Sequence, residues 1–276
     1  VIGNSVIEDV VTPTSKITLT NSSGPVGLLL GNSSTIGDYL FVCDGTSGWL
    51  INTAGVVTQI TDADFPTPHV PTPIFIDGYI AIAKGSDVYT CDVDNPLGWT
   101  ASNFLSAEMF PDPIVALSRQ NNQVVVLGQS SIEFFYDAAN AAGSPLSRND
   151  STTIQMGCAA PYALIGNEKY VFYISQSDSG GRAAWIIDGF QPKKVSDEYI
   201  ERILDAEVDM SDCRGFGLRT KGHLFYVLNL KTSGRTLVYD SDEKLWHEWA
   251  SNTNGVNGVF QCDHMADNTT GAAYLL

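Results

Sequence analysis

Apolar residues along this chain fall into short runs bounded by Gly, Asp, Ser, Asn or Pro, the mark of buried or half-buried strands rather than helices. In "IEFFYD" (132–137), Ile132, Phe134 and Tyr136 alternate with Glu133, Phe135 and Asp137, the period of an extended strand. A long soft stretch from Ala138 to Met156 follows, with a lone arginine at Arg148.

The runs recur. A leading strand is read at "PVGLLLG" (25–31), "TPIFIDG" (72–78), "PIVALSR" (113–119), "APYALIG" (160–166), "RGFGLRT" (214–220) and "GVNGVFQ" (255–261), with starts 47, 41, 47, 54 and 41 residues apart. A stronger second strand follows each, from "DYLFVC" through "HLFYVL" to "AAYLL". Third strands follow in five units, at "GWLINT", "DVYTCD", "SIEFFYD", "RAAWIID" and "RTLVYD". A weaker fourth strand closes several units, at "VVTQIT", "GWTASN", "PKKVSD" and "WHEWAS". Strand-rich units of this length are the signature of propeller blades, which bury their faces by stacking on their neighbours.

The expected fold is therefore an all-β, six-bladed β-propeller forming a single domain over 1–276. Its blades are expected near 25–65, 72–105, 113–150, 160–197, 214–251 and 255–276, with "SKITLTN" (15–21) closing the last blade. One segment breaks the strand pattern. After Ser196 or Asp197 as N-cap, "EYIERILDAEV" places Ile200, Ile203, Leu204 and Val208 on one helical face, a short insertion between blades four and five.

Composition supports a sizeable core, at 43% hydrophobic. No run of about 18 apolar residues is present to span a membrane. The start, "VIGNSVIEDV", has no initiating Met, basic region or apolar leader, and "GAAYLL" ends in mid-strand, so a fragment without a signal peptide is expected.

Net charge is −16, with only Lys16, Lys84 and Arg119 against twelve carboxylates in residues 1–120. Neutralising phosphates needs clustered Lys and Arg, so specific nucleic-acid binding is not expected. An acidic surface that repels DNA without contact is compatible with this balance. Five widely spaced cysteines (43, 91, 158, 213 and 262) with no C-x-x-C pair read as buried reduced thiols.

Candidate chemistry is sparse. His69, His223, His247 and His264 are scattered, and no nucleophile elbow or P-loop occurs. Three D-x-D pairs, Asp62/Asp64, Asp92/Asp94 and Asp240/Asp242, match turn chemistry better than a calcium loop. "SQSDSGGRAAW" falls short of a sialidase Asp-box: Gln176 stands two positions before Asp178, and Trp185 comes two residues late. Its glycines fit a hairpin turn. "VYDSDEKLWHEWAS" is similar to the Kelch pattern, with Tyr239, Trp246 and Trp249 as inter-blade anchors. The sequons at Asn21, Asn32, Asn149 and Asn268 read as polar turns without secretion. No catalytic, cofactor-binding or metal-ligating residue is assigned. A non-viral propeller scaffold and a sugar-active propeller enzyme are the alternative readings.

Four segments, in order, resemble the tail-hub or nozzle proteins of short-tailed bacteriophages, also called packaged-DNA stabilisation proteins or tail accessory factors. They are "VVVLGQSSIEFFYD" (124–137), "SPLSR" (144–148), "GCAAPYALIGNEKYVFYIS" (157–175) and "VSDEYIERIL" (195–204). The resemblance implies a structural virion component without enzymatic activity, made in the host cytoplasm. Such proteins form a ring, commonly a hexamer, below the portal and its adaptor. They extend the DNA channel, retain the packaged genome and dock tail fibres, tailspikes and a needle protein. DNA passes through without specific binding, and there is no membrane insertion. The expected assembly contacts are Pro145, Arg148 and Asn149 in the long loop, with Arg148 as its charged anchor, and Tyr199 and Arg202 on the helix.

Overall fold

The repeat is visible in the strand pairing. A computed structural model of the chain describes residues 5–7, 15–20, 24–107, 109–110, 112–166, 169–176, 181–253, 255–260, 265–267 and 273–275. The chain divides into two compact units, Val1–Thr153 and Ile154–Leu276.

The first unit opens with a hairpin of β1 (Ser5–Ile7) and β2 (Ser15–Thr18). Blade one follows as β3 (Gly27–Ser33), β4 (Gly37–Cys43), β5 (Gly48–Asn52) and β6 (Val57–Gln59). Blade two is β7 (Val70–Ile76), β8 (Tyr79–Lys84), β9 (Asp87–Asp92) and β10 (Asn95–Ser106). Blade three is β11 (Ile114–Gln120), β12 (Gln123–Gly128), β13 (Ile132–Asp137) and β14 (Leu146–Arg148). Each blade is an antiparallel meander in chain order.

Strand β8 shows how the pattern builds the core. Ile80 and Ile82 pack against Tyr39, Phe41 and Cys43 of blade one. Ala81 and Ala83, on the opposite face, pack with Leu117, Val124 and Val126 of blade three. A strand buried on both faces has no polar side, so it reads as a continuous apolar run. The β7–β8 turn is Asp77–Gly78, both at positive φ (45° and 88°), the conformation that a two-residue hairpin with the right twist requires.

In the second unit, blade four contains β15 (Gly157–Cys158), β16 (Ile165–Gly166), β17 (Tyr170–Gln176), β18 (Arg182–Asp188) and β19 (Gln191–Lys194). Its first strand is split: β15 and β16 pair with opposite ends of β17. The turn between them is clamped, since Gly215 N–H donates to Tyr162 O at 2.9 Å and the Tyr226 hydroxyl donates to Ala163 O at 2.8 Å.

Helix α1 (Glu198–Ala206) starts at Asp197, whose carboxylate accepts the Ile200 N–H, and buries Ile200, Ile203 and Leu204. It ends two residues earlier than expected, leaving Val208 82% exposed. Blade five is β20 (Arg214–Thr220), β21 (His223–Leu230), β22 (Arg235–Asp240) and β23 (Leu245–Trp249). Its Tyr226, Leu228, Leu237 and Tyr239 join Phe172, Ile174 and Ala184 of blade four and the buried helix face in one core.

The described strands thus make five blades, not the expected six. The segment read as the leading strand of blade six pairs backward instead: β25 (Val256–Gly258) forms a hairpin with β24 (Ser251–Thr253). A second hairpin joins β26 (Met265–Asp267) to β27 (Ala273–Leu275). Strands β24 and β25, three residues each and with an Asn in both, offer too few apolar positions to lead a four-stranded sheet. The strand at 15–18 does not close a last blade either. It pairs with β1, and Ile17 and the following Leu19 bury against Val42 and Trp49 of blade one. Among the described residues no helix is long and apolar enough to cross a membrane.

Candidate functional site

Several of the described carboxylates hold turns. Asp62 and Asp64, in the linker ahead of blade two, accept the N–H groups of Trp99 (3.2 Å) and Ala101 (3.3 Å), where bulges interrupt the register of β10. Asp94, at positive φ, accepts both the backbone N–H and the hydroxyl of Ser34, tying blade two to the first turn of blade one. Asp112 takes the N–H groups and hydroxyls of Ser130 and Ser131 in the β12–β13 turn. Glu207 does the same for Thr232 and Ser233 N–H in blade five. The third D-x-D pair also caps backbone: Asp240 accepts from Asp242 and Glu243, and Asp242 accepts from Leu224.

His223 Nδ1 lies 2.7 Å from Asp240 Oδ2, and His223, Asp240 and Asp242 are near enough together to share an ion. Their donor atoms are nevertheless engaged with each other and with the turn. The hydrogen bond that His223 donates to Asp240 raises its pKa above its ordinary value. His69 is a structural group: its Nδ1 contacts Pro66 O at 2.8 Å and its Nε2 accepts Gly45 N–H at 3.2 Å. Burial lowers its pKa. His247 is exposed on β23.

Cys43, Cys91, Cys158 and Cys213 are buried thiols. Burial raises all four pKa values, to about 12 at Cys91 and Cys158 and about 11 at Cys213. Such groups are poor nucleophiles at neutral pH. Asn21, Asp178, Cys262, His264 and Asn268 lie outside the described residues.

The long loop of blade three is shorter than its sequence suggests, because β14 inside it supplies the blade's fourth strand. Pro145 is buried and its carbonyl accepts Ala138 N–H at 2.9 Å. Asn149 N–H donates to Phe134 O at 2.8 Å. Arg148 does not project outward: its Nε lies 2.7 Å from Oε2 of Glu133, an ionic contact without hydrogen-bond alignment. Its Nη2 donates to Ser106 O in β10, and the guanidinium lies over the Phe135 ring.

Glu133, 1% exposed, also accepts Met109 N–H at 3.1 Å. Burial raises its pKa against the opposing pull of Arg148 and that N–H. Phe135, on the same face as Glu133 and fully buried, is the signal that this face is internal.

The helix presents the more open surface. Tyr199 is 59% exposed and accepts a hydrogen bond from Arg235, which Glu248 grips with both oxygens at 2.8 and 2.7 Å. Arg202 pairs with Glu198 one turn earlier and stays mostly exposed. Of the five residues read as assembly contacts, Tyr199 and Arg202 thus offer side chains outward, whereas Pro145 and Asn149 serve their own blade and Arg148 ties it to β10 of blade two.

An open apolar cleft of about 580 Å³ lies in the first unit, lined by Leu30, Tyr39, Leu40, Ile51 and Phe75 with Asn32, Asp38 and Asn52 at its polar side. Leu30, on β3, is 79% exposed. Gly31 makes room for the Tyr39 ring, which an added Cβ would meet at 2.5 Å.

The chain resembles solved propellers of several kinds. The extracellular domain of a hybrid two-component system from B. thetaiotaomicron aligns at TM-score 0.58 and 12% identity, over 96% of this chain and 33% of that one. The dihydro-heme d1 dehydrogenase NirN aligns at 0.51 and 11%, over 88% and 49%. A virginiamycin B lyase from Staphylococcus aureus aligns at 0.51 and 9%, over 90% and 76%. The chain thus spans a third to a half of the first two, and at such identities the likeness concerns the fold alone. No curated protein matches the chain. Residues 15–267, however, match the family described as bacteriophage P22 Gp10, beta-propeller. That match spans all five blades, and the chain belongs to this family of phage structural proteins.

Proposed function

We propose that the chain forms the tail hub, or nozzle, of a short-tailed phage: a ring, hexameric by expectation, below the portal and its adaptor. It extends the DNA channel, retains the packaged genome and docks fibres, spikes or a needle protein, without catalysing a reaction. The observation that carries this reading is the family match across the five blades. Two features support it. A net charge of −16 with few cations suits a wall along which a polyanion must slide. Several carboxylates, among them Asp62, Asp94 and Asp112, are also fixed by the backbone they cap, so part of the charge sits on a rigid frame. Tyr199 and Arg202, exposed on the helix, are the residues best placed to meet a neighbouring subunit.

The test is native mass measurement of the full-length protein, alone and mixed with the portal–adaptor complex of the same genome. Addition of about six copies per complex is expected. A protein that stays monomeric and ignores the complex refutes the nozzle role.

A further inference from the structure

Glu133 is the point at which three segments of the first unit meet. It sits on β13, its Oε2 contacts Arg148 of β14, and its Oε1 accepts the Met109 N–H from the linker between blades two and three. Arg148 in turn donates to Ser106 O at the end of β10. Strand β14 pairs with β13 and buries Leu146, and Asp112 ties the linker to the β12–β13 turn; Glu133 adds a charged contact to each. Strand β14 is three residues long and follows an exposed stretch, Ala139–Gly143. A short edge strand of this kind opens independently of the core unless something pins it.

We infer that Glu133 is a proton-sensitive latch: its ionised carboxylate pins β14 and the Met109 segment to blade three, and its neutralisation releases both while the blade stays folded. Among the described residues, the charged groups facing it are Arg148 from β14, Asp112 from the linker and Asp150 from the turn after β14. One cation is thus set against two further carboxylates around the buried Glu133. Burial and both carboxylates make proton uptake easier, and Arg148 with the Met109 N–H makes it harder. Uptake therefore falls above the ordinary glutamate range. Once neutral, Glu133 leaves Arg148 without its counter-charge and Met109 N–H without a charged acceptor. Arg148, 20% exposed, can then turn to water.

The test is hydrogen–deuterium exchange of the whole protein at about pH 7.5 and about pH 5, corrected for intrinsic exchange rates. Amides of Met109, Ala138 and Asn149 should exchange about tenfold faster at the lower pH, and those of Gln123–Gly128 should not change. Glu133→Gln should show the fast exchange at both pH values. An unchanged wild type, a Glu133→Gln variant that keeps the wild-type pH response, or simultaneous loss of protection in Gln123–Gly128 overturns the latch. Asp150→Asn, at an exposed position, decides the matter should the glutamine variant not fold. Removing that charge should move the wild-type transition to lower pH, and an unmoved transition overturns the proposal.

Discussion

The indole N–H of Trp246 donates to the main-chain oxygen of Val195 at 2.7 Å, binding the last strand of blade five to the residue that follows the last strand of blade four. The same ring lies 5.1 Å from that of Tyr239, so one side chain serves both packing and hydrogen bonding. Trp246→Phe keeps the ring contact and removes the donor, leaving Val195 O to find another partner. It should cost about 1 kcal/mol in urea unfolding, within the usual range for one hydrogen bond.

Arg148→Met leaves the Glu133 carboxylate buried without its counter-charge. A loss of about 3–5 kcal/mol is expected, as for other broken buried pairs. Adding Glu133→Gln should recover part of that loss, since the uncompensated charge is what costs most. The double-mutant cycle, read from denaturation midpoints, should therefore be strongly non-additive.

Two histidines should give opposite pH dependences. The folded pKa of His69 is depressed by burial, so the unfolded chain takes up a proton first. Stability is then complete above about 6.5 and declines as pH falls, at a limiting slope of about 1.4 kcal/mol per pH unit. His223 has a raised folded pKa through its bond to Asp240, so its contribution is full below about 6.5 and fades as pH rises through the folded value. His69→Asn should flatten the acid limb of the stability profile, and His223→Asn the limb on the alkaline side.

Gly215 lets β20 pass close over the turn at Tyr162–Ala163. A Cβ there would lie 2.9 Å from Ala163 O and 3.0 Å from its Cα, both backbone atoms that cannot swing aside. Gly215→Ala should destabilise by about 1–3 kcal/mol through overpacking. Gly222→Ala, with nothing within 4 Å but φ at +87°, separates steric crowding from backbone strain in the same unfolding assay.

The four described cysteines should resist a thiol reagent such as dithionitrobenzoate in the folded protein and react on unfolding. Peptide mapping of the labelled chain checks each position. Rapid labelling of Cys91 or Cys158 under native conditions would contradict their burial.

Blades one, two and five were legible because their first three strands carry apolar runs punctuated by turn residues such as Asp77–Gly78 or Lys221–Gly222. Blade three was only partly so. Its fourth strand, "LSR", has a single apolar residue, Leu146, and is defined by pairing with β13 rather than by its own pattern. Blade four's leading strand reads as continuous from Ala160, yet only Ile165–Gly166 of that run pairs, and Gly157–Cys158 supplies the other half. The terminal segments were over-read. Ile17 and Leu19 do alternate as in a strand, but alternation does not say which sheet receives it. The burial of Glu133 was not legible for a related reason, since period-2 counting cannot see a buried ion pair.

The turn-capping carboxylates tie two properties of the molecule together. Asp62, Asp94 and Asp112 each contribute to the negative surface and each anchor a backbone turn, so substitution at any of them alters both at once. Relatives that drift toward neutrality should therefore do so by gaining lysines on open strand faces rather than by losing these acids. Electrostatic character in such a scaffold is inherited with its geometry.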